Sequence, residues 1–462
     1  MRCVLCVLAL LCILCQTTQA ELPPNVIVIY ADDLGWGDLA CYGHPSIRTP
    51  HLDRMAAEGM RFTEFYSAAE VCTPSRAALL TGRYPMRNGM CHDQFRVLRQ
   101  NSKGGLPKDE TTLAEALKTK GYVTGCIGKW HLGHLPEHLP PQHGFDEYFG
   151  LPFSNDMRPT PTSPPGRDKF YVEKNEYWAT PLIRGTDIIE PQPDQRLLTR
   201  RYTEEAVKFI RTHNAKPFFL YFPHTFPHVP LFASDKFRGQ SPAGIYGDVV
   251  EELDWSVGQV LDAVRQEGLA ERTLVVFSSD NGPWLIFDTH GGSAGLLREG
   301  KGSTWEGGMR VPGIFWWPGK VKSGVIQREM ALTMDVFPTV CKLAGVDVPT
   351  DRTIDGRDIS PLLFGTGTVD REVFLYYRGQ TLYAARLGVW KAHFITRSAY
   401  GNDKSESHEP PALYNLRVDP SERFDVAAKH PDVVASIKVA VDKHVSELKP
   451  APSQLIETVP AK

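Results

Sequence analysis

Two apolar, β-branched runs in this chain are each followed at once by oxygen-bearing side chains. Residues 25–30 read Asn-Val-Ile-Val-Ile-Tyr, and Ala31 and a pair of aspartates follow them. Residues 273–277 read Thr-Leu-Val-Val-Phe, and Ser-Ser-Asp-Asn follows. Continuous apolar runs of this kind are typical of strands buried on both faces of a parallel sheet. The repeated pattern predicts an α/β chain with both strands in one sheet.

The polar side chains after these two runs predict a metal site. Because the carboxyl ends of parallel strands meet at one edge of a sheet, the side chains converge if both strands are central. Three carboxylates and an amide carbonyl suit Ca²⁺, with Mg²⁺ as the alternative, and they do not suit Zn²⁺. A helix-capping turn would explain a single Asp-Asp pair, but the recurrence of the pattern favours the metal site. The predicted ligands are Asp32, Asp33, Asp280 and Asn281.

The remaining pattern predicts two domains. The 462 residues suit one large domain and a smaller one. Helical and strand-like segments alternate up to about residue 365, and short antiparallel-type runs and a final amphipathic helix follow. We therefore expect a large α/β domain at residues 21–365, with a central, mostly parallel sheet flanked by helices. A smaller C-terminal domain of antiparallel sheet and helix is expected at residues 366–462.

The first 20 residues resemble a signal peptide in composition. Arg2 precedes an apolar run at residues 4–14, and Thr-Gln-Ala at residues 18–20 is an acceptable cleavage site. The run is too short for a membrane span, which needs about 20 residues. A lipoprotein site at Cys15 is a weaker alternative. The chain has no Asn-x-Ser/Thr acceptor, so we expect a periplasmic or extracellular location more than a lysosomal-type one.

Charge and cysteine content limit the partners and the kind of scaffold. The net charge is -3, and no basic patch interleaved with aromatic residues is present, so the sequence does not indicate a nucleic-acid partner. Four of the nine cysteines fall in the first 20 residues. The five that remain are too few for a disulfide scaffold.

Residues 72–76 read Cys-Thr-Pro-Ser-Arg and precede Ala-Ala-Leu-Leu-Thr-Gly-Arg. Pro74 suits the first turn of a helix and Gly82 suits its end. Cys72 is thus expected just before a helix N-terminus, where negative charge is favoured and a thiol pKa is lowered. Arg76 would lie on the first turn, directed back toward Cys72. Taken alone, such a cysteine is more often a small buried hydrophobe.

Three further segments carry cationic side chains at predicted strand ends or in loops. Residues 128–133 read Gly-Lys-Trp-His-Leu-Gly, and in extended chain Lys129 and His131 would share a face and reach one anion. A solvated lysine and a capping histidine are the alternative. Two histidines, His224 and His228, follow a predicted strand. Lys301 lies in a glycine-rich run at residues 300–312 that lacks Walker spacing.

Together these segments resemble the type I sulfatases, closest to the arylsulfatase A and N-acetylgalactosamine-6-sulfatase branch, over nearly the whole chain after residue 20. The resemblance implies an alkaline-phosphatase-like fold and a bound Ca²⁺ ion. It implies that Cys72 is converted to formylglycine by a formylglycine-generating enzyme and is held by Arg76. It selects His228 over His224, and it implies a sulfate pocket formed by Lys129, His131, His228, Lys301 and, as a weaker match, Ser154.

The resemblance also implies a reaction. One hydroxyl of the hydrated aldehyde attacks sulfur, and His228 protonates the leaving alcohol. The second hydroxyl then loses its proton, with His131 as the candidate base, and sulfate is expelled as the aldehyde re-forms. The expected substrate is a sulfated sugar, with aryl sulfates as convenient substitutes. Loops at residues 91–105, 152–193 and 377–394 are expected to line the pocket.

Two other functions stay open from the sequence. Some phosphodiester or phosphonate monoester hydrolases of the same superfamily share the Cys-x-Pro-x-Arg motif. A chain in which Cys72 is never modified would bind sulfated glycans without catalysis.

Overall fold

A computed structural model describes residues 22–400 and 404–459. The predicted signal peptide lies outside the described residues. The large sheet is mixed and has eleven strands, with β10-β2-β9-β8-β1-β7-β3-β4-β5-β6 as its order and β11 paired to β2. Its strands are β1 Asn25–Ala31, β2 Met60–Tyr66, β3 Val123–Ile127, β4 Glu147–Gly150, β5 Leu182–Arg184, β6 Asp187–Glu190, β7 Phe218–Pro223, β8 Thr273–Ser279, β9 Arg310–Trp316, β10 Val325–Gln327 and β11 Ala331–Leu332.

The two runs that predicted the sheet are neighbouring strands at its centre. β1 lies between β7 and β8 and is parallel to both. Its register pairs Tyr30 with Ser278 and Ala31 with Ser279, so the two polar sequences leave the sheet side by side. Every residue of β1 and β8 is buried, as expected for strands covered on both faces.

Helices cover both faces of this sheet and enclose two apolar cores. One core contains alternate β1 side chains such as Val26 and Val28, and the other contains Ile27 and Ile29. The helices are α1 Pro50–Glu58, α2 Cys72–Thr81, α3 Pro85–Asn88, α4 Leu113–Lys118, α5 Leu198–Thr212, α6 Gly244–Gln266, α7 Glu306–Met309, α8 Val336–Leu343, α9 Ser360–Phe364 and α10 Pro431–Glu447.

A second, antiparallel sheet follows in the order β12-β13-β14-β15. Its strands are β12 Phe374–Arg378, β13 Thr381–Leu387, β14 Trp390–Thr396 and β15 Glu406–Asn415. Apolar side chains of α10 and of this sheet share one cluster with Tyr66 and Ala78 of the large domain. The predicted domain boundary at residues 365/366 stays a prediction.

Local differences from the predicted elements have local causes. Helix α2 includes Cys72 as its first residue instead of starting after it. Gly82 does end this helix, at φ 68°, and donates its N–H to Ala78. The predicted surface loop at residues 152–193 contains the short hairpin β5–β6, which extends the sheet edge beside β4. Strands this short carry too few alternating residues to be recognised from sequence.

No described helix has the length and apolar character needed to cross a bilayer. The cysteines of the described residues, Cys41, Cys72, Cys91, Cys126 and Cys341, are free thiols.

Candidate active site

The predicted metal ligands meet where β1 and β8 end. The Asp280 N–H donates to the Ala31 carbonyl at 3.2 Å, and the Asp33 N–H donates to Asp280 Oδ1 at 3.1 Å. Asn281 Nδ2 donates to Asp33 Oδ1 at 2.7 Å. These side chains and Asp32 are essentially inaccessible to solvent. The parallel register therefore brings together four polar side chains that are separated by about 250 residues in the sequence.

Three cationic side chains reach into this group. Arg76 donates to Asp280 Oδ2 through Nε at 3.0 Å and Nη2 at 2.7 Å. Lys129 Nζ lies 2.5 Å from Asp32 Oδ2, and Lys301 Nζ lies 2.8 Å from Asp33 Oδ2.

Three buried carboxylates thus face three buried cations, and their formal charges cancel. Burial nevertheless raises the pKa of Asp33, which Lys301 opposes, and burial raises the pKa of Asp280, which Arg76 opposes.

The oxygen atoms of this group that lack hydrogen-bond partners are suited to binding a hard cation. Asn281 Oδ1 is buried and has no hydrogen-bond partner among the described residues. Asp32 Oδ1 also accepts no hydrogen bond from them, although Arg76 Nη2 lies 3.3 Å away. Unpartnered buried oxygens are costly, and carboxylate and amide oxygens are the donors that Ca²⁺ and Mg²⁺ prefer.

Cys72 adjoins the same group. Its Sγ and carboxylate oxygens of Asp32 and Asp280 lie within 4.8 Å of one another, and so do its Sγ, an Asp33 oxygen and a His228 ring nitrogen. The prediction of a lowered thiol pKa is wrong. Burial raises the pKa of Cys72 well above its ordinary value, and the positive charges of Lys129 and Lys301 do not offset it. Desolvation disfavours the thiolate more strongly than the helix N-terminus favours it.

Ser154 and His228 extend the group on one side. Lys129 Nζ donates to Ser154 Oγ at 3.2 Å, and Ser154 Oγ lies 3.3 Å from His228 Nε2. His228 Nε2 also lies 3.6 Å from Asp33 Oδ2. His224, the alternative histidine, has no hydrogen-bond partner at either ring nitrogen among the described residues and packs on Phe222.

His131 lies in a different local geometry from the one expected. Its backbone φ is 60°, and Gly128 has φ 127°, so the segment is not extended and the shared-face argument for Lys129 and His131 is wrong. His131 Nε2 lies 2.9 Å from the Leu98 carbonyl. Its Nδ1 is buried without a partner among the described residues. The backbone carbonyl of His131 accepts from Thr73, next to Cys72.

The Lys301 loop packs directly against the end of β8. Gly282 donates its N–H to the Gly308 carbonyl at 2.9 Å. A Cβ atom at Gly282 would lie 1.8 Å from the Gly307 carbonyl oxygen. Only glycine permits this approach, which explains the glycine at position 282.

Trp284 is a site residue that the sequence analysis missed. Lys301 Nζ lies 4.1 Å from its ring centroid, and the His228 ring lies 5.3 Å from it. The cation–π contact helps to hold a lysine that carries charge in a desolvated place. Its position four residues after the predicted ligand Asp280 could have indicated that Trp284 lies near the site.

The fold and this cluster of buried charges define an alkaline-phosphatase-like hydrolase. The family model described as Sulfatase matches residues 24–346, and that described as the C-terminal region of aryl-sulfatase matches residues 369–461. The chain therefore belongs to the sulfatase family and is a sulfatase enzyme.

Individual relatives agree with this assignment. Arylsulfatase A of Bos taurus is 43% identical over 430 residues, which is 88% of this chain and 84% of the relative. N-acetylgalactosamine-6-sulfatase of Canis lupus familiaris is 42% identical over 94% of this chain and 88% of its own. The crystal structure of PsFucS1 sulfatase from Pseudoalteromonas sp. superimposes with a TM-score of 0.83 at 30% identity, covering 92% of this chain and 90% of that one.

Proposed function

We propose that this sulfatase is exported, binds calcium, and hydrolyses sulfate esters of sugars through a formylglycine made from Cys72. The observation that supports this most strongly is the position of the Cys72 Sγ. It lies within 4.8 Å of oxygens of Asp32 and Asp280, and in a second set with Asp33 and His228. A modified side chain at this place would adjoin both the cation site and the His228 imidazole.

The charges of the site suit a sulfate monoester. Asp32, Asp33, Asp280 and Asn281 would hold the calcium ion, which would supply Lewis-acid stabilisation of the sulfate oxygens. The three carboxylates and three cationic side chains cancel, so a bound divalent cation makes the site net positive. Lys129 and Lys301 would bind sulfate oxygens and stabilise charge that develops in the transition state. A hydrated aldehyde at Cys72 would supply one hydroxyl for attack and a second for release.

His228 is placed to move the proton of the leaving group. Its Nδ1 lies 2.5 Å from the Val229 carbonyl oxygen. A carbonyl oxygen only accepts, so Nδ1 carries a proton. Nε2, beside Ser154 and Asp33, is then the atom that would donate to the leaving oxygen. It can do so only from the imidazolium form of His228, whose pKa burial and the charge of Lys301 lower well below the ordinary value. His131 is the proposed base for sulfate release, and Ser154 is the proposed hydrogen-bond partner of bound sulfate.

The names of the relatives favour a sugar substrate. One relative at 42% identity is named for the 6-sulfate of N-acetylgalactosamine. The signal-like segment at residues 1–20 supports export, and exported sulfatases have access to polysaccharides outside the cytoplasm.

The direct test is the mass of the peptide that contains Cys72, from protein made in its native host. Conversion of the thiol to an aldehyde removes about 18 Da from that peptide. Peptides containing Cys91 or Cys341 are the internal controls and keep the cysteine mass. An unmodified Cys72 in fully exported native protein would rule out the formylglycine mechanism and favour glycan binding without catalysis.

Turnover separates sulfate from phosphonate chemistry. We expect a higher kcat/KM for 4-nitrophenyl sulfate than for 4-nitrophenyl phenylphosphonate. The reverse ranking would assign the chain the phosphonate monoester hydrolase activity instead.

A further inference from the structure

A group of arginines lies beside the proposed sulfate pocket and takes no part in the chemistry above. Arg96 forms an ion pair with Glu70, whose side chain is buried. Glu70 precedes Cys72 by two residues, and its carbonyl accepts from the N–H of Gly302, next to Lys301. Arg96 is therefore paired with the Cys72 segment at the residue where this segment meets the Lys301 loop.

Its neighbour Leu98 links this segment to the candidate catalytic residues. The Leu98 N–H donates to Thr73 Oγ1 at 3.1 Å, and its carbonyl lies 2.9 Å from His131 Nε2. The Arg96 segment thus forms part of the wall of the site.

Arg378, at the end of β12, reaches the same loop from the small sheet. Its Nε donates to the Gly302 carbonyl at 3.1 Å. The segment after β14 also packs on this loop. Ala399 donates its N–H to Glu299 at 3.1 Å, and a Cβ at Gly302 would lie 3.7 Å from the Ala399 side chain. Arg397 belongs to this segment and is partly buried.

The three arginines are close enough to repel one another. Burial, followed by the like charges of Arg378 and Arg397, lowers the pKa of Arg96 to about 9. Burial and then Arg397 lower the pKa of Arg378. Such crowding is unfavourable unless anions compensate it.

Compensation within the described residues is incomplete. Among the described residues, Glu70 is the one carboxylate that forms an ion pair with any of these three arginines. The Nε atoms of Arg96 and Arg397 are buried without a hydrogen-bond partner in the described part of the chain. The nearby Asp93 carboxylate accepts instead from Gln380 and Thr381. Planar donors of this kind suit carboxylate and sulfate oxygens.

We propose that Arg96, Arg378 and Arg397 form a subsite for a second anionic group on the substrate, either a uronate carboxylate or a further sulfate of the same glycan. This inference rests on the proposed function, because it places the scissile sulfate in the Lys129–Lys301 pocket. The subsite makes the enzyme selective for polyanionic sugars over sugars that carry a single sulfate.

Arg397 is the best residue for the test, because Arg378 also supports the Lys301 loop and Arg96 also neutralises Glu70. The holoenzyme hydrolyses 4-methylumbelliferyl sulfate while three sugars compete. These are a monosulfated hexosamine, a disulfated hexosamine, and a disaccharide of uronic acid and monosulfated hexosamine. We expect Arg397→Gln to weaken competition by a sugar with a second anion about tenfold, and competition by the monosulfated sugar less than about threefold. Arg397→Lys should restore part of the difference.

Arg200→Gln is the matched control, since Arg200 is a solvent-exposed arginine on α5 paired with Glu204. It should leave all three inhibition constants unchanged. Selective loss for the disulfated hexosamine identifies a sulfate subsite, and selective loss for the disaccharide identifies a carboxylate subsite. Equal weakening of all three sugars by Arg397→Gln, or no preference for polyanionic sugars in the wild type, overturns the proposal.

Failure of the proposed function gives a separate signature. A wild-type protein that does not hydrolyse 4-methylumbelliferyl sulfate contradicts that function, and calorimetric titration with the same three sugars then tests the subsite by the same ratio.

Discussion

Two buried charge clusters in this molecule contain similar groups but differ in how completely those groups are paired. The first, the site cluster, is Asp32, Asp33, Asp280, Asn281, Arg76, Lys129 and Lys301. The second, the interface cluster, lies between the Lys301 loop region and the small sheet. It consists of Glu306, Lys391, Glu422, His393 and Arg386.

The interface cluster is saturated at its carboxylates. Lys391 Nζ lies 3.0 Å from both Glu306 Oε1 and Glu422 Oε1, and donates to the Thr304 carbonyl at 2.8 Å. Tyr66 donates to Glu306 Oε2 at 2.7 Å, and the Glu306 N–H donates to Glu422 Oε2 at 2.7 Å. Although burial opposes ionisation, Lys391 and the nearby arginines hold the pKa of Glu306 at about 2.

The site cluster is not saturated. Burial raises the pKa of Asp33 and of Asp280 in spite of their ion pairs, and Asn281 Oδ1 has no hydrogen-bond partner among the described residues. Burial of charged side chains by itself therefore does not distinguish a functional site from a structural one. A cluster whose acceptor oxygens all have hydrogen-bond partners stabilises the fold. A cluster with unpartnered oxygens can still bind a ligand through them.

The largest expected difference between the clusters is in catalysis. Replacing Cys72 with alanine should lower aryl sulfate turnover by about a thousandfold or more, because alanine cannot be converted to the proposed formylglycine nucleophile. Unfolding free energy should change by less than about 2 kcal/mol. Steady-state kinetics and chemical denaturation measure the two effects.

Cys341→Ala is the control, as Cys341 is a buried free cysteine on α8. It should have a similar effect on stability and none on turnover. Full activity in Cys72→Ala would contradict the proposed role of Cys72 beside the site cluster.

Removing a charge from the interface cluster should lower the free energy of unfolding. Glu306→Gln removes one of the two buried carboxylates that pair with Lys391 and the charge that faces Arg310 and Arg386, and we expect a loss of about 3–5 kcal/mol in unfolding free energy. Glu409→Gln, in an ion pair whose glutamate is 81% exposed, should cost less than about 1 kcal/mol. Equal effects of the two changes would show that the buried network does not stabilise the contact with the small sheet.

Calcium should distinguish the clusters through ligand-linked stability. At a calcium concentration about 100-fold above Kd, the wild type should gain about 2.7 kcal/mol, and a chelator should reverse the gain. Asp33→Asn should lose most of this increment, which thermal denaturation with and without calcium measures. Asp254→Asn removes a buried carboxylate that accepts the N–H of Leu52, and it should keep the increment. An unchanged increment in Asp33→Asn would place the calcium elsewhere.

Acid should weaken the interface cluster over a defined range. Because the folded-state pKa of Glu306 is about 2, below its ordinary value of 4.5, its contribution is full above pH 4.5 and declines as the pH falls toward 2. The difference in unfolding free energy between wild type and Glu306→Gln, here called the stability gap, should therefore decrease by about 1–3 kcal/mol over this pH interval. Denaturation curves at pH 5, 4 and 3 measure the gap. A gap that stays constant would show that Glu306 titrates alike in the folded and unfolded states.

Particular residues show how far the sequence could predict this arrangement. The convergence of four polar side chains at one edge of the sheet was predicted, because two long apolar runs are each followed by oxygen-bearing residues. These side chains are Asp32, Asp33, Asp280 and Asn281. The positive φ of His131 was not, since non-glycine residues rarely adopt it. The arginine group was also missed, because Arg96 lies far from Arg378 and Arg397 in the chain and no local pattern links them.

The sequence by itself determined the sheet, the helix that Cys72 begins, and the residue types of the site, since hydrophobic periodicity, proline and glycine act locally. Only the tertiary structure decided the state of those groups. Burial raised the thiol pKa of Cys72 against the helix N-terminus, and the register of β1 with β8 left two oxygens unpartnered. Desolvation and pairing depend on everything packed around a group, so no stretch of sequence specifies them alone.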